Sequence, residues 1–175
     1  MRAGGRRRLD HPCHPARASA PSSCPWADAE PTGSRRRPGR LTLYVDSSAL
    51  VKRYLREADT PIAIRLIDAD DHRLTARHTI IEIRRCLAVN LTKGQLKGAQ
   101  ERFAEDMLAF SIVELDRAVC DRAAAVAEQF HVRTLDALHL AAAERAVGPT
   151  VQFLSFDQRQ TAAARQLGFE TIGAS

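Results

Sequence analysis

The sequence predicts an α/β fold: a mostly parallel, twisted sheet with helices on both faces, three layers in all. Two observations carry this reading. Along residues 41–175, short apolar runs of strand character alternate with longer amphipathic stretches, and that order implies right-handed crossovers between parallel strands. Residues 1–40 are instead rich in Arg, Pro, Ser, Gly and Ala and carry no hydrophobic period. They read as a disordered extension ahead of one domain, because such a segment buries too little apolar surface to offset its ordering entropy. The remaining 135 residues suffice for a single core covered on both sides.

The first strand is the run at 41–45, where Leu41, Leu43 and Val45 surround Tyr44. Asp46 arrives where the run stops, and 47–56 reads as helix. Residues 57–59 form a turn; Thr60-Pro61, a cap followed by proline at the first helical position, opens a short helix to Ala69. A weak second strand lies at 73–76. His78-Thr79 opens a helix with Ile80, Ile81, Ile83, Leu87 and Leu91, which ends near Lys93-Gly94. The next helix, 95–110, turns Phe103, Met107 and Leu108 inward. Residues 111–115 alternate as a strand, and Asp116 caps a helix running to Phe130. Thr134 starts an alanine-rich helix that Gly148-Pro149 stops. A strand at 151–155, a helix opened by Asp157 and closed at Leu167-Gly168, and a short strand at 169–172 complete the chain.

The formal net charge of +5 is unevenly placed. Nine arginines face three acids in residues 1–40, whereas the rest of the chain holds 17 basic and 18 acidic residues. The basic balance therefore says nothing about the body. Cys86 and Cys120 fall in helical stretches and read as small core residues rather than a bridge, which points to a reducing cytoplasm. His11, Cys13, His14 and Cys24 fit no structural zinc spacing. No apolar run approaches the ~20 residues that span a bilayer. Arg6-Arg7-Arg8 is not followed by the apolar stretch of an export signal.

The chemistry lies in the acids. Asp46, Asp116 and Asp157 stand at or just beyond strand exits, where ligands bind in open α/β sheets. Each is equally a natural helix cap. Glu82 and Asp136 sit inside helices with apolar neighbours; the first also reads as a solvated residue beside the apolar face, the second as a first-turn acid facing the helix dipole. Taken jointly, acids at one sheet edge repel unless a hard divalent cation lies between them. Such a site activates water and steadies phosphoryl charge without a basic or thiol nucleophile.

The stretch Tyr44-Val45-Asp46-Ser47-Ser48-Ala49-Leu50-Val51-Lys52 resembles the opening of PIN-domain ribonucleases, and within these the VapC-type toxins of bacterial toxin–antitoxin pairs. The resemblance continues in order with Glu82, with Leu135-Asp136-Ala137-Leu138-His139-Leu140-Ala141-Ala142-Ala143 and with Leu154-Ser155-Phe156-Asp157, and so covers residues 41–175. It implies a PIN-like three-layer fold whose acidic pocket binds Mg²⁺, or Mn²⁺, and cleaves RNA. By motif position Asp46, Glu82 and Asp136 would be the catalytic, metal-holding acids, and Asp157 the fourth and more variable one. Ser48 and Ser155 would orient waters or phosphate, and Asp116, with no matching role, would be a cap. His139, one helical turn after Asp136, is expected as a partly buried structural residue. The implied partners are an RNA substrate, a cognate antitoxin that inserts a peptide carrying an Arg into the acidic groove, and a second copy in a homodimer, for which the 95–110 helix is a candidate surface. The Arg-rich first segment and Arg84-Arg85 depart from the family pattern. The competing reading is a catalytically inactive α/β interaction module whose acids only cap helices. A phosphate-binding regulator of flavodoxin-like shape ranks last, since no glycine-rich phosphate loop occurs.

Overall fold

The first strand, β1 (Thr42–Val45), is buried on both sides, as its unbroken apolar character requires. Tyr44 points to one face, Leu43 and Val45 to the other. This is a computed structural model that describes residues 42–147 and 151–173; the expected extension at 1–40 and the Gly148-Pro149 stop lie outside them. After β1 the elements are α1 (Ser47–Leu50), α2 (Thr60–Asp68), β2 (Arg73–Ala76), α3 (Thr79–Asn90), α4 (Lys93–Met107), β3 (Phe110–Val113), α5 (Arg117–Phe130), α6 (Thr134–Val147), β4 (Val151–Ser155), α7 (Gln158–Gln166) and β5 (Glu170–Gly173).

The five strands form one sheet in the order β3-β2-β1-β4-β5, and every pairing is parallel. All strands therefore deliver their carboxyl ends to one edge. From β1 the chain first winds outward through β2 and β3, then returns to the other side of β1 with β4 and β5. The direction of winding reverses between β1 and β4, which is where such sheets open a crevice. The register pairs Val45 with Leu154, and Asp46 donates its backbone N–H to the Leu154 carbonyl at 3.0 Å. Asp46 and Ser155 consequently leave the sheet side by side at that crevice.

Two cores sandwich the sheet. On one face Tyr44 stacks on Phe153 at 5.2 Å between centroids, Phe153 meets Phe169, and the buried sides of α5, α6 and α7 cover them. On the other face Leu43, Val45 and Leu154 pack with Leu50, Ile67, Ile83, Leu87 and Phe103 from the helices α1 to α4. The three-layer reading of the sequence holds in both faces.

Local departures have local causes. The expected helix at 47–56 is one α-turn followed by a 3-10 turn at Val51–Arg53. Lys52 is drawn inward to Glu57 and Asp59, and Tyr54 and Arg53 turn to Asp106 at 2.7 and 3.2 Å. The expected helix at 95–110 starts two residues earlier and ends at Met107. There the chain closes into a turn, with Leu108 N–H on the Glu105 carbonyl, which swings Leu108 outward to 80 % exposure rather than inward. Phe110 is thereby freed to begin β3, where it pairs with Arg73 and lies under its guanidinium. Cys86 is half-buried and Cys120 exposed, so neither is the core residue expected; the α5 stripe is Val119, Ala123 and Val126, and Cys120 lies one step around the helix from it. Among the described residues no helix is long and apolar enough to cross a membrane.

β5 ends at Gly173 with φ of +108°, and a Cβ built there would stand 2.6 Å from the Ser155 carbonyl oxygen. The close approach to backbone demands glycine on two counts, the dihedral and the space. Gly173→Ala is expected to cost about 1–3 kcal/mol, read as a lower urea midpoint at unchanged slope. A loss below about 0.5 kcal/mol, the scale of an ordinary surface change, would contradict the packing described.

Candidate active site

Asp46 is the fixed point of the pocket. It is only 3 % exposed, and its carboxylate caps α1 by accepting from the Ser48 N–H at 3.2 Å. The same oxygen, Oδ2, accepts from the Ser48 hydroxyl at 2.5 Å and from the Ser155 hydroxyl at 3.1 Å. Ser48 Oγ also accepts from the Phe156 N–H, which ties the exits of β1 and β4 together. The two serines thus act on Asp46 itself: their hydroxyls hold the carboxylate rather than standing open to a ligand.

The other oxygen, Oδ1, faces the His139 imidazole, with Nε2 at 3.1 Å. The same Nε2 lies 2.9 Å from Glu82 Oε2. Nδ1 of the ring meets the Tyr44 hydroxyl at 2.9 Å. His139 is 1 % exposed, fully rather than partly buried as expected, and stands between two acids at the centre of the pocket. It reaches there because α6 crosses the back of the sheet with His139 and Leu140 turned inward. Burial pulls the His139 pKa down, but the Asp46 charge, the Glu82 hydrogen bond and charge, and Asp136 outweigh it and leave it raised. Nδ1 pairs with the Tyr44 hydroxyl, and Nε2 lies between Glu82 and Asp46. Tyr44 is raised in turn by its burial and by the charges of Asp46 and Glu82, so it stays a neutral phenol.

His78, just past β2, packs its ring 4.1 Å from that of His139 and brings Nε2 to 3.7 Å from Glu82 Oε2. Burial and the neighbouring His139 lower it to about 4, so it is a neutral imidazole.

Asp136 lies in the first turn of α6, nearer the surface. Burial raises its carboxyl; Arg133 opposes that, and Asp157 and Asp46 push it further up. Arg133 spans the two outer acids, 3.4 Å from Asp136 and 3.1 Å from Asp157. Asp157 caps α7 through the Arg159 and Gln160 N–H groups at 2.8 and 3.1 Å. A groove opens beside Asp136, bordered by His131, Val132, Arg133 and Arg159.

The four expected acids therefore meet in one electrostatic network: Asp46 and Glu82 through His139, Asp136 and Asp157 through Arg133. Asp116 stands apart as a cap on Val119 N–H, near Arg145. Arg84 and Arg85 lie on the exposed side of α3. Sequence reasoning passed over His78, Tyr44 and Arg133. The signals were a tyrosine in a strand buried on both faces, whose hydroxyl needs a partner, and a histidine spaced (i, i+4) from the expected site acid Glu82.

Oxygen donors from several carboxylates at a sheet edge suit a hard divalent cation, and two of them flank the buried His139 imidazole and raise its pKa. Fold and site together define an α/β protein with an acidic pocket at its switch point. A family model described as the PIN domain matches residues 43–166, and the chain belongs to the PIN-domain family. Ribonuclease VapC46 of Mycobacterium tuberculosis is 31 % identical over 133 residues, covering 76 % of this chain and 98 % of that protein. Among solved structures, M. tuberculosis VapC20, a toxin described as cleaving the sarcin-ricin loop, superposes with a TM-score of 0.59 at 16 % identity over 70 % of this chain and 95 % of its own. A toxin–antitoxin complex from Klebsiella pneumoniae gives 0.58 at 14 % identity, over 75 % and 96 %. At these identities the structures speak for the fold.

Tyr44→Phe removes the hydroxyl on His139 Nδ1 while keeping the stack on Phe153. Leaving a buried ring nitrogen unpaired is expected to cost about 1–3 kcal/mol, measured by urea unfolding with chelator present. No measurable loss would show that Tyr44 does not hold the imidazole.

Proposed function

We propose that this chain is a Mg²⁺- or Mn²⁺-dependent endoribonuclease toxin of the VapC type, acting on RNA in the cytoplasm and neutralised by a cognate antitoxin. The observation that carries the proposal is the convergence of Asp46, Glu82, Asp136 and Asp157 at the switch-point crevice of a PIN-family chain. The names of its relatives support the activity. When bound, the cation supplies an activated water and neutralises the charge that develops on a phosphoryl group.

The residues divide the work by depth. Asp46, Glu82 and Asp136 would hold the cation, with Asp46 pre-set by Ser48 and Ser155 so that no reorganisation is needed on binding. Asp157, fixed by the α7 amide groups, closes the outer side. Arg133 is well exposed and, among the described residues, pairs with the two outer acids, so its guanidinium can exchange a carboxylate for an incoming phosphate. Arg159 extends that basic border along the groove. Local arginines of this kind, rather than overall charge, supply the RNA affinity of a body that is nearly neutral. An antitoxin arginine would compete for the same acids, which is how a peptide silences such a pocket. Homodimerisation belongs to the proposal as well: Ile81 and Val89, exposed on one side of α3, offer apolar contact area.

Asp46→Asn and Asp136→Asn keep shape and capping ability but each removes a ligand charge. Even partners behind a metal ligand cost roughly 10–100-fold, so each substitution is expected to lower divalent-dependent RNA cleavage by about 100-fold or more. Cleavage of a structured RNA by either variant at the wild-type rate would rule the proposal out. It would favour a module whose acids only cap helices.

A further inference from the structure

The four acids leave unexplained why two histidines lie in the deepest part of the pocket. His78 is 4 % exposed, and neither of its ring nitrogens completes a hydrogen bond among the described residues; the Leu135 main chain lies beside the ring, and Glu82 is the nearest carboxylate, at 3.7 Å. A buried imidazole without a satisfied nitrogen costs stability unless something else takes its lone pair. His139 has the arrangement usual for a metal-bound histidine: one nitrogen on an outer partner, the Tyr44 hydroxyl, and the other turned to the acids. Nitrogen and oxygen donors of His78, Glu82 and His139 all lie within 4.8 Å of one another. Donors about 2.0–2.2 Å from one ion stand roughly 3–3.5 Å apart. The separations here, 2.9 Å for His139–Glu82, 3.1 Å for His139–Asp46 and 3.7 Å for His78–Glu82, bracket that range.

We infer that His78 and His139 are nitrogen ligands which, with Glu82 and the Oδ1 side of Asp46, form an inner cation site selecting a first-row transition ion over Mg²⁺, any proton on His139 Nε2 passing to solvent as the ion takes its place. Imidazole donors favour such ions, whereas Mg²⁺ prefers oxygen and retains its waters. The inference deepens the metal-dependent reading of the pocket and rests on it. It adds two nitrogen donors to Asp46 and Glu82 on the inner side of the ion and keeps Asp136 as its oxygen donor on the outer side, where Arg133 joins it to Asp157.

The test is pulsed electron paramagnetic resonance of Mn²⁺ bound to the full chain, which reads ¹⁴N coupling from a coordinated imidazole independently of activity. Wild type is expected to show that coupling, and His78→Gln/His139→Gln to lose it. His78→Gln alone is expected to weaken Mn²⁺ binding by roughly tenfold with a smaller effect on Mg²⁺, giving a second measurement should the double variant not fold. Bound Mn²⁺ without nitrogen coupling overturns the inference and leaves the ribonuclease reading in place. Coupling that persists in the folded double variant also overturns it, because the nitrogen then comes from elsewhere in the chain. Failure of wild type to bind any divalent ion overturns both.

Discussion

Carboxylates collected at the edge of a dry sheet repel one another, and the fold is tenable only with positive charge between them. In this chain the His139 imidazole stands at that place, wedged between Asp46 and Glu82, which raise its pKa, and backed by Tyr44. Much of the architecture follows from keeping it there. Tyr44 is held by its stack on Phe153, and Phe153 by β4 and Phe169, so the central strands brace the imidazole through aromatic packing. Asp46 is held from the opposite side by Ser48 and Ser155, one from each strand exit that flanks the crevice. The reversal of winding between β1 and β4 is what brings those two exits together.

Capping a helix leaves Asp46 and Asp157 each with an oxygen turned to the pocket. Asp46 caps α1 with Oδ2 and faces His139 with Oδ1. Asp157 caps α7 with Oδ1 and meets Arg133 with Oδ2. A carboxylate has two oxygens, so helix N–H groups can fix one while the other faces the pocket. The local propensity that places an acid at a strand exit is therefore also what aims it at the crevice. Asp116 shows the converse: the same cap on α5, beyond the edge strand β3, turns its other oxygen toward Arg145 rather than toward the crevice.

The sheet, its helices and the places of Asp46 and Asp157 at strand exits were legible because they rest on short-range signals: alternating apolar runs and helix caps. The helix ends at Leu50 and Met107 were not, since the contacts that end them, Lys52 to Glu57 and Tyr54 to Asp106, cross between segments. The surroundings of the two histidines were hidden for a related reason. His139 looks structural from its own helix alone, and its role emerges only when α6 lies against β1 and α3. His78 looks like the opening of a helix, and nothing local shows that its ring will be buried beside a second imidazole. Polar residues in a sequence announce chemistry when they sit at strand exits, and hide it when tertiary packing alone gives them their partners.

The account turns on the contact between His139 and Asp46, and a double-mutant cycle in unfolding free energy tests it most directly. With Asp46→Ala, His139→Ala and the double variant compared in chelator, the capping contribution of Asp46 cancels and the pair's own coupling remains. A coupling energy of about 1.5 kcal/mol or more is the result this account predicts, the range for a buried, hydrogen-bonded charged pair. Additivity within about 0.3–0.5 kcal/mol would contradict it: the imidazole would then not be what holds the acids together.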